Sequence, residues 1–240
     1  QPAYTLAYMP MRNRAEVPRL LLEEGGVPYD FEVVGFLPWA ELKQTTPFGR
    51  TPTLTVHATE ETEEMVLAHE QAITRFLARE LGMCGATPAE EARCDVLYQQ
   101  YWCTLRNHGL THEGEHYSAA ALADLRRADA GTREAMLAHA RDYRAMRRVN
   151  DWEVAERSLA ALRVFEDVLA DRAKDTTADH GDGPWLVGSS LSYVDLCVFE
   201  VVAELAEPEH VPDFADSLGL PELGGLLARV GARERVRAYL

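Results

Sequence analysis

The chain has no long apolar run. Nowhere do apolar residues approach the ~18 in succession that a membrane span requires, and no apolar signal segment opens the sequence. Basic residues are scarce: 24 Lys and Arg stand against 39 Asp and Glu, a net charge of −15. A surface this acidic repels phosphate backbones and anionic headgroups, which argues against nucleic acid or anionic membrane as the main partner. Cysteine is sparse too. Cys84, Cys94, Cys103 and Cys197 form no CxxC pair, so free thiols in a reducing compartment are expected. Cytoplasm is the expected compartment; the Gln1 start leaves an organelle after presequence removal as the alternative. What is present is ordinary globular material: 240 residues, 47% of them hydrophobic, enough for one large domain or two small ones with real cores.

The first eighty residues alternate in pattern. YTLAYM (4–9) reads as a strand. RAEVPRLLLEEGG (14–26) reads as a helix with Val17, Leu20 and Leu21 on one face and Gly25-Gly26 as its stop. YDFEVVGF (29–36), TPTLTV (51–56) and EEMVLAH (63–69) read as strands, and a helix opens at Glu70 with Ile73, Phe76 and Leu77 recurring at i, i+3 and i+4. A β-α-β unit followed by a hairpin and a helix is a small α/β domain with a mixed sheet. After about Pro88 the strand pattern ends. Residues 88–108, 118–150 and 152–175 read as long helices, the second broken near Gly131. Residues 192–207 form a nearly all-apolar, hence buried, helix. Ser192 with Asp195 three residues on makes a capping-box pattern there, and one or two further helices close the chain. The boundary falls near 82–90, giving domains 1–82 and 88–240.

HEGEH (112–116) matches H-E-x-x-H, which on a helix puts two histidines and a general-base Glu around zinc. Gly109 and Gly114 weaken a helix here by ~1 kcal/mol each, and no third ligand follows. The segment reads as a solvated loop between helices, and no metal is expected; a zinc hydrolase is the distant competing reading.

The order YTLAYMPMRNRAE, WAELK, TPFGRTPTL and AITRFLAR (72–79) resembles the soluble glutathione transferases, closest to their sigma, mu and pi-like group. GPWLVGSSLSYVDLCVFEVV resembles that family's buried helix with its capping Ser and Asp, and LARVGARERVRAYL its closing helix. The resemblance spans nearly the whole chain except 109–148, which is longer and more irregular. It implies a thioredoxin-like α/β domain followed by an all-helical domain that holds an electrophile cleft. It also implies no cofactor beyond glutathione as co-substrate, a small hydrophobic electrophile as the other substrate, and a homodimer.

The same resemblance implies site residues. Conjugation needs a thiolate, and a thiol of pKa ~8.5 is mostly protonated at neutral pH. Tyr8 matches the catalytic tyrosine, whose hydroxyl donates to the sulfur and lowers that pKa. Arg14 matches a position that helps hold the tyrosine and sulfur environment, against a solvent-facing helix-start arginine as the plain alternative. Asn13 replaces a common glycine, and Asn tolerates left-handed backbone. Trp39 and Lys43 match donors to the glycyl carboxylate. Thr51 precedes Pro52, implied to be cis, and pairs through its backbone with the glutathione peptide.

The start of the helix that opens at Glu70 departs from the pattern. Family members read Gln-Ser or Glu-Ser there, the Ser holding the γ-glutamyl carboxylate; this chain has His69 and Glu70. A helix start is an anion site, but two carboxylates at ~4 Å cost roughly 1–4 kcal/mol. Glu70 caps its own helix or meets the γ-glutamyl ammonium instead. Gln99 stands where an Asp often reaches that ammonium across the dimer. The expectation is an altered pocket with weakened glutathione binding. Two hypotheses follow: a glutathione transferase or glutathione-dependent isomerase, and a catalytically weak interaction or structural subunit of a larger assembly.

Overall fold

The structure, a computed structural model, describes residues 2–9, 12–35, 39–106, 151–175, 183–207 and 211–240. HEGEH, the helix expected over 118–150 and most of the polar loop over 176–184 lie outside the described residues. Those described fall into two compact units, 2–77 and 78–106 with 151–239.

The first unit is built on strands β1 (Tyr4–Tyr8), β2 (Tyr29–Val33), β3 (Thr53–Val56) and β4 (Met65–Ala68). Sheet order is β2-β1-β3-β4, with β1 parallel to β2 and antiparallel to β3, and β3 antiparallel to β4. A parallel pair needs a crossover, supplied by α1 (Asn13–Gly25). This helix ends where the sequence says it must: Gly26 is left-handed at φ 64°, and the Gly26 and Val27 N–H groups return to Glu23 O and Leu22 O. On the facing strand the Arg19 guanidinium lies 3.6 Å above the Phe31 ring, and the Tyr29 hydroxyl donates to Glu23. Burial, together with the Glu23 charge, raises the Tyr29 pKa. A single turn, α2 (Trp39–Leu42), and a tight turn over Pro47–Gly49 lead into β3. After β4 comes α3 (Glu70–Glu80), whose last three residues count with the second unit. Ile73 and Leu77 of α3 are buried as their spacing predicts, and Phe76 sets its ring edge-on to Tyr4.

The second unit is helical among the described residues: α4 (Pro88–Tyr101), α5 (Asp151–Lys174), α6 (Tyr193–Leu205), α7 (Phe214–Leu218), α8 (Pro221–Ala232) and α9 (Glu234–Tyr239). Its core is α6, buried at eleven of its positions and packed by α4, α5 and α8. Asp195 anchors the start of α6. Its carboxylate accepts from Leu186 N at 2.9 Å, Ser192 N at 2.8 Å and Ser192 Oγ at 2.7 Å, all in a fully buried setting.

Some sequence expectations are corrected. β2 ends at Val33 and β3 begins at Thr53, each shorter than its apolar run, because a ladder extends only as far as a neighbour offers partners. The helix from Pro88 leaves α geometry after Tyr101 and continues as a π-helical turn over Trp102–Arg106. There Arg106, fully buried, lies 3.6 Å from Glu200, and Tyr101 donates to the same carboxylate at 3.3 Å. The closing segment over 221–240 makes two helices, within the expected one or two, because Arg233 turns to extended backbone (φ −62°, ψ 130°) between α8 and α9; α7 precedes them as a further short helix.

The α8 start lacks a side-chain cap from its own flank, with Leu220 before Pro221. Glu166 of α5 supplies it from 56 residues away, accepting from Glu222 N at 2.9 Å and Leu223 N at 2.8 Å. Replacing it with Ala leaves both donors without an acceptor, so Glu166→Ala is expected to cost about 2–3 kcal/mol in urea unfolding. Glu166→Gln, which keeps one acceptor oxygen, should cost less; equal midpoints for wild type and Glu166→Ala would remove the cap from the account.

Candidate functional site

Strand register alone assembles one end of the sheet. Ala7 pairs with Thr53, and Thr53 with Ala68. The residues just beyond these pairs are therefore neighbours: Tyr8 at the end of β1, Pro52 at the start of β3 and His69 at the end of β4. The Thr51 hydroxyl donates to Ala7 O at 3.1 Å, tying the loop before β3 to β1, and the Thr51–Pro52 peptide bond is cis. The start of α3 follows directly. Three groups of the kind the sequence singled out thus meet at one sheet end by backbone pairing.

Tyr8 is 4% exposed and shares a strand face with Tyr4 and Leu6. Its carbonyl accepts from Val34 N at 2.8 Å, which fixes the strand end. Asn13 begins α1 at φ 32°, in the left-handed region its side chain tolerates. Arg14, next along, is exposed. Trp39 is half-buried and Lys43 exposed; the Lys43 N–H donates to Trp39 O at 2.8 Å, so the two stand one turn apart. The Lys43 stem runs beside the 47–49 turn, where a Cβ on Gly49 would sit 3.3 Å from Lys43 Cγ. Gly49, at φ 60°, therefore answers both a backbone and a space demand.

The helix start is the most distinctive part. His69 is exposed at φ 70°, and its carbonyl accepts from Ala72 N and Ile73 N at 3.0 and 3.1 Å. Glu70 is only 3% exposed. Carboxylates are seldom buried, and one in a first turn meets the positive end of the helix. A residue the sequence reading passed over joins them: Phe48, 83% exposed and at φ 57°, has its ring 5.6 Å from the His69 ring. Among the described residues of the first unit, Asn13, Phe48 and His69 are the non-glycine residues at positive φ, and all three flank this sheet end. Such backbone strain clusters at functional sites. Only Asn13 betrays it by residue type.

In the second unit, Gln99 is exposed and donates to Cys103 Sγ at 3.3 Å. All four cysteines are free thiols, and burial pushes the Cys94 thiol up to about 12, leaving it inert at neutral pH. Among the described residues no cluster of metal-ligating side chains forms, and no helix is long and apolar enough to cross a membrane.

The family profile described as "Glutathione S-transferase, C-terminal domain" matches residues 135–240. The hematopoietic prostaglandin D synthase of Gallus gallus is 36% identical over 96 residues, covering 40% of this chain and 45% of that protein. Glutathione S-transferase 1 of Ascaris suum is 37% identical over 100 residues, covering 42% and 46%. The chain thus spans about half the length of the curated relatives it matches. A solved glutathione S-transferase of C. elegans aligns over the whole fold, at 25% identity and a TM-score of 0.66, covering 100% of this chain and 96% of that one. The small mixed sheet, the helical second unit and the whole-chain likeness are those of one fold. The chain is thus similar in sequence to the glutathione S-transferase family over residues 135–240, and in fold to a solved glutathione S-transferase over its whole length.

Proposed function

We propose that this protein is a glutathione transferase that activates the glutathione thiol with the Tyr8 hydroxyl, for conjugation to, or isomerisation of, a hydrophobic electrophile. The observation that carries the reading is the meeting of Tyr8, Thr51–Pro52 and the α3 start at one sheet end. In this reading the glutathione backbone pairs with Thr51, and Trp39 and Lys43 donate to the glycyl carboxylate. Tyr8 donates to the sulfur, favouring the thiolate, while Arg14 supports that environment. His69 and Glu70 face the γ-glutamyl end. The chain acts as a homodimer, an arrangement that would cover the exposed Phe48 ring, in the cytoplasm or an organelle.

The burial of Glu70 favours a second reading, a catalytically weak interaction or structural subunit that has kept the fold. Calorimetric titration with glutathione separates the two. A dissociation constant between about 10 µM and a few mM, typical of substrate affinities, supports the enzyme. Absence of binding, restored by Glu70→Ser, supports the subunit.

A further inference from the structure

We infer that the helical unit binds a ligand of its own, a small amphipathic carboxylate, in a cavity walled by α4, α5 and the segment before α6. This stands apart from the glutathione reading and does not need it. The cavity measures about 470 Å³, within the ~300–1,000 Å³ usual for small-molecule sites. Val96 and Leu97 of α4, Val168 of α5, and Leu186 with Val187 make its wall apolar. Leu186 and Val187 are buried, whereas Val96 is 68% exposed, so the apolar surface runs from the floor out to solvent. Concave apolar surface left wet favours an occupant, and charge says which one. Two guanidiniums stand on the wall, Arg93 of α4 and Arg172 of α5. The Arg172 head donates to Gly188 O, which holds it in place, and its Nε–H has no acceptor. Neither arginine is paired with a carboxylate among the described residues. The acid on the same wall, Asp171, pairs with Lys174 at 3.1 Å. An aliphatic chain laid on the valines and leucines, with its carboxylate against the two guanidiniums, meets both demands. The chain as a whole carries −15 and draws cations; at this cavity the preference is reversed.

The test sets that local preference against the overall charge. Decanoate and decylammonium share one chain and differ in the sign of the head group, and calorimetric titration of the wild-type protein with each compares them. Decanoate is expected to bind about tenfold more tightly, as a charge-assisted hydrogen bond to arginine implies. Val96→Glu, at an exposed position, puts a carboxylate at the mouth and should abolish that preference. Arg93→Met combined with Arg172→Met should abolish it as well. Excess S-hexylglutathione should leave decanoate binding unchanged. Equal binding of the two probes, tighter binding of decylammonium, or no binding of decanoate overturns the inference. Displacement of decanoate by S-hexylglutathione assigns it to the electrophile cleft and overturns the inference too. If Val96→Glu turns a dimer into a monomer and neither form binds decanoate, a second copy fills the cavity and the inference falls. The wild-type comparison needs no variant to fold, and a failed glutathione titration leaves it untouched.

Discussion

Tyr8→Phe is expected to slow glutathione-dependent conjugation below neutral pH by about 10–100-fold, as the loss of one hydrogen bond to a charged sulfur implies. The chain of reasoning starts at the strand. Tyr8 ends β1 at 4% exposure, on the same face as Leu6, so a Phe ring keeps the packing and removes only the hydroxyl. Without that donor the bound thiol returns toward its ordinary pKa of ~8.5. The variant's pH–rate profile should therefore move to higher pH and approach the wild type once the thiol ionises unaided. Two measurements check this: ultraviolet titration of the bound thiolate, and kcat/KM for an activated chloronitroarene across pH. A Phe variant with an unshifted profile would remove Tyr8 from the mechanism while leaving the fold assignment untouched.

The second large effect lies in the helical unit and concerns stability. Burial pushes the Asp195 carboxyl up from 3.8 to about 6, against the lowering pull of its bonds from Leu186 and Ser192 and of the Arg229 charge. Between these two values the folded protein holds a proton that the unfolded chain has released. Stability therefore falls as pH rises through this window, and the group's contribution is largest below the unfolded value. The full swing is about 3 kcal/mol. Asp195→Asn should erase this slope, since the amide does not titrate. It should also cost about 2 kcal/mol, because its N–H₂ faces donors at Ser192. Asp195→Ala leaves two backbone N–H groups and a hydroxyl buried without an acceptor and should cost about 3–5 kcal/mol. Urea unfolding at a series of pH values reads all three; a wild-type slope that persists in the Asn variant would assign the titration to another group.

Elements with local causes were legible in the sequence. α1 could be bounded because Gly26 is a stop that acts within its own turn, and α6 because Ser192 and Asp195 satisfy each other three residues apart. The alternation of β1 placed Tyr8 at a strand end. What escaped depends on distant partners. The cap on α8 comes from Glu166, fifty-six residues before Glu222, so no window around Pro221 contains it. The π-helical turn after Tyr101 has the composition of ordinary helix; near it the buried Arg106 meets Glu200 on α6, a partner no local pattern shows. At the site, the family resemblance pointed to Tyr8, Thr51 and Pro52, but the burial of Glu70 was hidden, because a carboxylate in a first turn normally faces water. Phe48 escaped for a related reason: an aromatic is expected inside, and only its left-handed backbone turns it out.

The sheet end that gathers these groups is held by main-chain ladders between β1, β3 and β4, bonds indifferent to side-chain identity. Position 70 stands at the rim of that frame and contributes nothing to its pairing. A Glu can therefore stand there without moving Tyr8 or Pro52. The frame and the chemistry at its rim are thus separately variable here: a substitution at position 70 leaves the pairing of the scaffold as it is.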